Sequence, residues 1–240
     1  MKIPHILLCL LGLCLPAFAK DLPATLKEGM IFHLPFEGTL EAETAAGLPE
    51  PKPLPSGKAE FSEGVLGQGL VLGGDSIPSL SFDSSMNIDL AQGTLSFWVK
   101  PLDWSGSDII PLFLLGVAPK YLGIQVASFS GSPKNLMFFS RFDTGTRSDV
   151  TIRGDAEWPE GVWRQVVLTW KDGLVRLYTD RGLASEARIV PPLQEEDIST
   201  RRFRFGEAPG VTSVIDEVRI WNRALSEEEI GALQNVEEPQ

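Results

Sequence analysis

Near its carboxyl end the chain reads SVIDEVRIWNRALSEEEIGAL, from Ser213 to Leu233, and this stretch restricts the possible folds more than any other. Successive side chains of an extended strand point to opposite faces. Val214, Asp216, Val218 and Ile220 therefore fall on one side, and Ile215, Glu217, Arg219 and Trp221 on the other. Asp216 is the odd member, because a carboxylate among inward aliphatics is costly unless something answers its charge. Backbone donors of a neighbouring loop, an arginine, or a cation such as calcium are the available answers. Directly after the strand, Ser226 and Glu229 form an S-x-x-E capping box. Glu227, Glu228 and Glu229 also suit the positive end of a helix dipole. A short helix over about 226–235 is expected.

Upstream, period-2 segments recur between turn residues. Strands are expected at Met30 to Phe36, Gly69 to Leu72, Ser79 to Phe82, Thr94 to Lys100, Pro111 to Leu115, Leu122 to Ala127 and Leu136 to Phe142. Six more follow at Val150 to Arg153, Arg164 to Trp170, Val175 to Thr179, Ala187 to Val190, Arg202 to Phe205 and Val214 to Asn222. So many strands with almost no helix imply an all-β, antiparallel sandwich or barrel. Asp172-Gly173 is a tight-hairpin pair joining the two strongest strands. Between 37 and 58, Pro49, Pro51, Pro53 and Pro55 alternate. Proline cannot donate to a sheet ladder, so this reads as an extended surface loop.

Residues 1–19 have the form of an export signal: Lys2, the apolar run Ile6 to Leu15, and Ala17-Phe18-Ala19 as an A-x-A cleavage site. That run is too short to span a bilayer, and no later segment qualifies. An exported product, periplasmic or extracellular, is expected to start at Lys20, with an extension over 20–29, one domain over 30–236 and a tail over 237–240. Cys9 and Cys14 both lie in the removed segment. The product therefore depends on core packing without a disulfide. The formal charge is −11, which disfavours nucleic acid and anionic membrane surfaces. The cluster Arg201, Arg202 and Arg204 around Phe203 and Phe205 reads as a strand with its rings inward.

GTLSFWVKP (93–101), GVWRQVVLTWKDGLVRLYTD (161–180) and the terminal IDEVRIWNRALSEEEI resemble the LamG-like jellyroll family of the concanavalin A-like lectin/glucanase superfamily. FHLPFEG (32–38) and EGVLGQGLVLGG (63–74) extend the likeness in the family's order. The resemblance implies a two-sheet jellyroll sandwich with a short C-terminal helix. Glu37 stands where the family often has an FDG opening, and Gln165 where it often has a histidine.

Catalysis finds little support. His33 is the sole histidine after residue 19, it lies opposite Phe32, Leu34 and Phe36, and it reads as a surface residue. No G-x-S-x-G occurs, and the carboxylate spacing of glycan-cleaving relatives is missing. Glu195, Glu196 and Asp197 read as a solvated acidic run. His or Cys metal clusters are excluded by count, which leaves oxygen ligands suited to calcium. Asp216 with Glu37 or Asp75 is the candidate set for such a cation. Recognition remains: sugars pack on aromatic faces flanked by polar groups. Turn-region Trp104 and Trp158, with Asp108 and Tyr121, are the candidates for a glycan, and packing of the sandwich rim is the competing reading for both tryptophans. An envelope or extracellular protein is the alternative partner.

Overall fold

The computed structural model describes residues 22–128, 134–141, 150–154, 157–180, 182–206 and 210–237. The expected signal segment and residues 238–240 of the expected tail lie outside them. In chain order the strands are β1 (Met30–Leu34), β2 (Thr44–Ala45), β3 (Glu60–Glu63), β4 (Gln68–Leu72), β5 (Ser79–Asp83), β6 (Gln92–Asp103), β7 (Ile109–Val117) and β8 (Lys120–Ala127). They continue as β9 (Asn135–Arg141), β10 (Val150–Gly154), β11 (Arg164–Lys171), β12 (Leu174–Thr179), β13 (Gly182–Arg188), β14 (Arg202–Gly206) and β15 (Thr212–Trp221). Two helices, α1 (Ala24–Lys27) and α2 (Glu227–Glu237), complete the regular elements apart from one 3₁₀ turn.

The strands form two antiparallel sheets, as expected for a jellyroll sandwich. One runs β13-β12-β11-β6-β15-β1-β2, with β4 also on β15 and β3 on β4; the other runs β10-β9-β8-β7-β14-β5. Between them the apolar phases interdigitate, and Phe32, Phe82 and Phe203 meet at 5.2–5.4 Å between ring centroids. The 172–173 turn joins β11 to β12 with both residues at positive φ, 50° and 77°, the geometry that matches strand twist.

Several expectations are corrected. The Ala187 to Val190 strand is displaced to Gly182–Arg188, and Val190 is 71% exposed. The 37–58 segment holds β2, which pairs with β1, and its Lys52 N–H donates to the Ser81 carbonyl beside β5. The acidic run forms a 3₁₀ turn in which Asp197 is buried and accepts from the Gln194 N–H. The helix extends two residues beyond 235, and Glu237, assigned to the tail, is fully buried.

The strand phase at Asp216 is also corrected. Glu217 has φ 51°, and the register against β6 shifts between Asp216 and Arg219. This bulge reverses the alternation. Before it Ile215 faces the core, after it Val218 and Ile220 do, and Val214 does not join the core cluster. Asp216 pairs with Trp98 on the outer side of the nine-stranded sheet, away from the sandwich interior.

Candidate functional site

The outer face of the nine-stranded sheet is the chemically rich one. Helix α2 lies over part of it, with Leu225, Ile230 and Leu233 packed on Val167, Tyr178 and Trp221; α1 adds Leu26. Beneath the helix end, the Glu237 carboxylate accepts from Trp98 Nε1 at 2.8 Å and Gln165 Nε2 at 3.0 Å. Glu237 also forms an ion pair with Arg219. Gln165, at the family's histidine position, thereby serves the helix anchor.

Beyond the helix, β15 and β1 continue into an open basin of about 950 Å³. The chain leaves β1 through Phe36, held at φ 57° with its ring fully buried. The following segment folds back to form the basin's acidic wall, Glu37, Glu41 and Glu43, with the hydroxyls of Thr39 and Thr44. Met30, Ala42 and Leu66 supply apolar surface, and Lys27 and Arg219 the positive charge.

At its floor His33 sits between two carboxylates, with Nε2 2.9 Å from Glu217 Oε2 and Nδ1 3.2 Å from Glu43 Oε2. Its side chain is 13% exposed, so the surface reading of His33 is corrected: the 37–44 segment and β15 enclose the ring. Glu217 also pairs with Arg219. Burial acts to raise the Glu217 pKa, but the His33 hydrogen bond and the Arg219 charge outweigh it and leave the value lowered. Asp216, one residue away, goes the other way. Burial first, then the Glu217 charge, push its pKa to about 8 against three backbone hydrogen bonds.

Those three bonds hold the Asp216 carboxyl in place. Its Oδ2 accepts from Val65 N at 2.8 Å and Leu66 N at 3.1 Å, and its Oδ1 from Glu217 N at 2.7 Å. Glu37 meets the same turn from the other side, accepting from Gln68 N at 3.2 Å. Asp75 is exposed on a separate turn. Asp216 and Glu37 thus meet one turn and Asp75 lies apart from them, and among the described residues no group of three or more acids, histidines or cysteines is placed to hold a metal ion.

Of the aromatic candidates, Trp104 and Trp158 meet and Tyr121 stands apart. Trp104 is 4% exposed; its Nε1 donates to Ser213 Oγ at 2.8 Å, and Trp158 tilts against it at 5.4 Å. Trp104 thus presents no open face. Asp108 is exposed and accepts from Ser128 Oγ. Tyr121 stands at the far end of the β7–β8 hairpin, edge-on to Phe139 at 5.7 Å. The basin residues His33, Glu43, Glu217 and Arg219 went unmarked in the sequence. The only local signal for them was the D-E-V-R run of β15, where charges replace the polar-neutral residues of an ordinary outer face.

The Laminin_G_3 model of the concanavalin A-like lectin/glucanases superfamily matches residues 74–231. No curated protein matches the chain. Among solved structures, botulinum neurotoxin type C, whose cell entry depends upon interaction with two ganglioside molecules, aligns with a TM-score of 0.69 at 15% identity, over 90% of this chain and 53% of the toxin chain. Domain 4 of the extracellular GH43 arabinanase AbnA from Geobacillus stearothermophilus, in complex with arabinotriose, gives 0.64 at 20% identity over 86% of this chain and 99% of that domain. The binding domain of Paraclostridial Mosquitocidal Protein 1 gives 0.64 at 17%, over 88% and 52%. This chain spans about half the length of the two toxin structures. At such identities the likeness is one of fold.

Proposed function

The chain belongs to the Laminin_G_3 family of the concanavalin A-like lectin/glucanases superfamily, and from that premise we propose a noncatalytic recognition module that binds neutral carbohydrate in the basin beside β1 and β15. The basin itself carries the reading. Its volume lies at the upper end of the roughly 300–1,000 Å³ typical of ligand sites. Carboxylates and hydroxyls on its wall match the vicinal hydroxyls of a sugar, and the apolar patch of Met30, Ala42 and Leu66 suits a ring's C–H face. Glu37, Glu41 and Glu43 repel acidic glycans, so the ligand is neutral. The neighbouring folds, solved as binding domains or with arabinotriose, support recognition over catalysis.

Hydrolysis is disfavoured on physical grounds. A glycosidase keeps one carboxyl protonated beside an ionised partner. In the basin Glu217 is held ionised by His33 and Arg219, whereas the acid with a raised pKa, Asp216, is buried under the 64–67 turn and faces no ligand space. Export through the 1–19 segment belongs to the same reading. Among the described residues no helix is long and apolar enough to cross a membrane.

A glycan array on the protein beginning at Lys20 tests the proposal. Neutral glycans should bind, and Glu41→Gln with Glu43→Gln should weaken the hits at least tenfold, while Trp104→Phe leaves them intact. A blank array, or hits indifferent to both acids, overturns the assignment and favours a protein partner.

A further inference from the structure

A second cavity lies at the end of the sandwich where the β7–β8 hairpin turns, remote along β7 from Trp104 and sharing no lining residue with the basin. Its volume is about 250 Å³. At about 30 Å³ per water that is room for some eight water molecules, enough for one sugar ring and too little for two. The floor is apolar: Leu115 belongs to the core, and Ile88, Leu90 and Ile198 pack against it. Ser84 and Ser85 line one wall and Ser199 and Thr200 the other; Ser199 Oγ is engaged by the backbone of Val117 and Lys120, and Ser85 by Asp83. At the mouth Arg201 pairs with Glu195 at 2.9 Å, both more than half exposed.

Each of these features has a counterpart on a sugar ring. The floor matches a ring's C–H face. Thr200 lines the wall with its Oγ1 closed to water and without a hydrogen-bond partner, and a rotation about χ1 turns that hydroxyl toward a ligand. The Arg201–Glu195 pair offers donors and acceptors side by side, as a vicinal diol requires. Because the pair is self-neutralising, the pocket has no surplus charge to hold an ion.

The walls are also fixed in advance, which lowers the ordering cost of binding. The Ser84 N–H donates to the Arg201 carbonyl at 3.1 Å and joins the two sides. Fully buried Asn87 ties the 84–87 turn to Gly47, Leu48 and Asp83. Met86 is held at the rim at φ 64° and is 72% exposed. A non-glycine residue in that conformation is disfavoured by about 1–2 kcal/mol and persists only where its surroundings impose it.

We propose that this end pocket is a second binding site, taking a single neutral sugar ring and acting separately from the basin. The ligand class rests on the carbohydrate reading above, while the site stands on its own geometry. Two separate sites on one rigid body would let a repeating glycan bind with avidity that neither site alone provides.

The methionines report the two sites independently. Met86 lines the end pocket, Met30 lines the basin, and Met137 is buried in β9 and lines neither. The full chain from Lys20, labelled with ¹³C-methyl methionine, would be titrated with free glucose, galactose, mannose, xylose and arabinose. At least one sugar should shift the Met86 methyl saturably, with Met137 still. Thr200→Val, which removes an unpaired hydroxyl without changing shape, and Arg201→Ala at the exposed mouth should each weaken that response at least fivefold and leave any Met30 response unchanged. If Met30 moves and Met86 never does, the pocket is refuted and the basin stands. If Met86 alone moves, the basin assignment fails and the pocket survives. If neither moves with any sugar, both are refuted.

Discussion

On one side of β15, Val218 and Ile220 look into an interior where Phe32, Phe82 and Phe203 meet ring to ring with no charge among them. On the other side of the same strand, Arg219 lies with Trp98, Gln165 and Glu237 in a layer equally closed to water and built from ions and hydrogen bonds. Equal burial therefore conceals different dependencies. The interior depends on filled volume and tolerates exchange among rings and aliphatics of similar size. The outer layer depends on partners being present together, because a lone buried charge costs more than the pair contributes.

Deleting volume should have the largest effect. Phe203 touches the rings of Phe32, Phe82, Phe113 and Phe205, so Phe203→Ala should cost about 3–5 kcal/mol in urea unfolding. A loss under about 1 kcal/mol would mean that the inter-sheet contacts do not carry the fold.

Deleting a partner comes next. Glu237→Ala leaves Arg219 with Glu217 as its remaining carboxylate and the Trp98 and Gln165 donors unanswered, at a cost of about 3 kcal/mol. The double variant Arg219→Met with Glu237→Met should be less destabilised than the sum of its two single variants, and additive losses would dissolve the contrast between the two layers.

The pH dependence sharpens it further. Asp216, raised to about 8 from an ordinary 3.8, is protonated in the folded chain through the range where the unfolded chain has already released its proton. Its contribution is complete below about pH 4 and declines as pH rises toward 8, by at most about 1.4 kcal/mol per unit. Glu217, shifted down, contributes above its unfolded value and loses that contribution on acidification. Stability measured at pH 5 and pH 8 should fall across the interval in the wild type and less in Asp216→Asn. A flat wild-type profile would mean that the three backbone donors keep Asp216 ionised. The smallest expected effect is that of chelation: because no three acids gather around one point among the described residues, melting curves with calcium and with EDTA should coincide, and a calcium-dependent rise of several degrees would restore the cation.

The interior was the legible half of the sequence. Alternation located twelve strands among the described residues, it misplaced β13 because Gly182–Arg188 has no buried face, and the S-x-x-E box placed the helix start. Short β2 and β3 escaped because Thr44–Ala45 and Glu60–Glu63 carry almost no apolar face. The bulge at Glu217 escaped because a left-handed non-glycine residue leaves no compositional trace, and that one residue moved Asp216 from the inside of the sandwich to the outside. His33 was correctly placed opposite the phenylalanines, but its partner Glu217 lies 184 residues away, a distance that no local pattern records. The tryptophans stayed open between two readings for a related reason: in a turn, a ring for display and a ring for plugging the sandwich end look alike in sequence.

Glu237 has a practical consequence for anyone shortening this chain. Sequence gives every reason to trim at Val236, since an acid followed by Glu-Pro-Gln looks like a dispensable tassel. The cut would remove the group on which side chains from β6, β11 and β15 converge, and any tag or fusion at that end is best spaced beyond Gln240 so that the clasp can close.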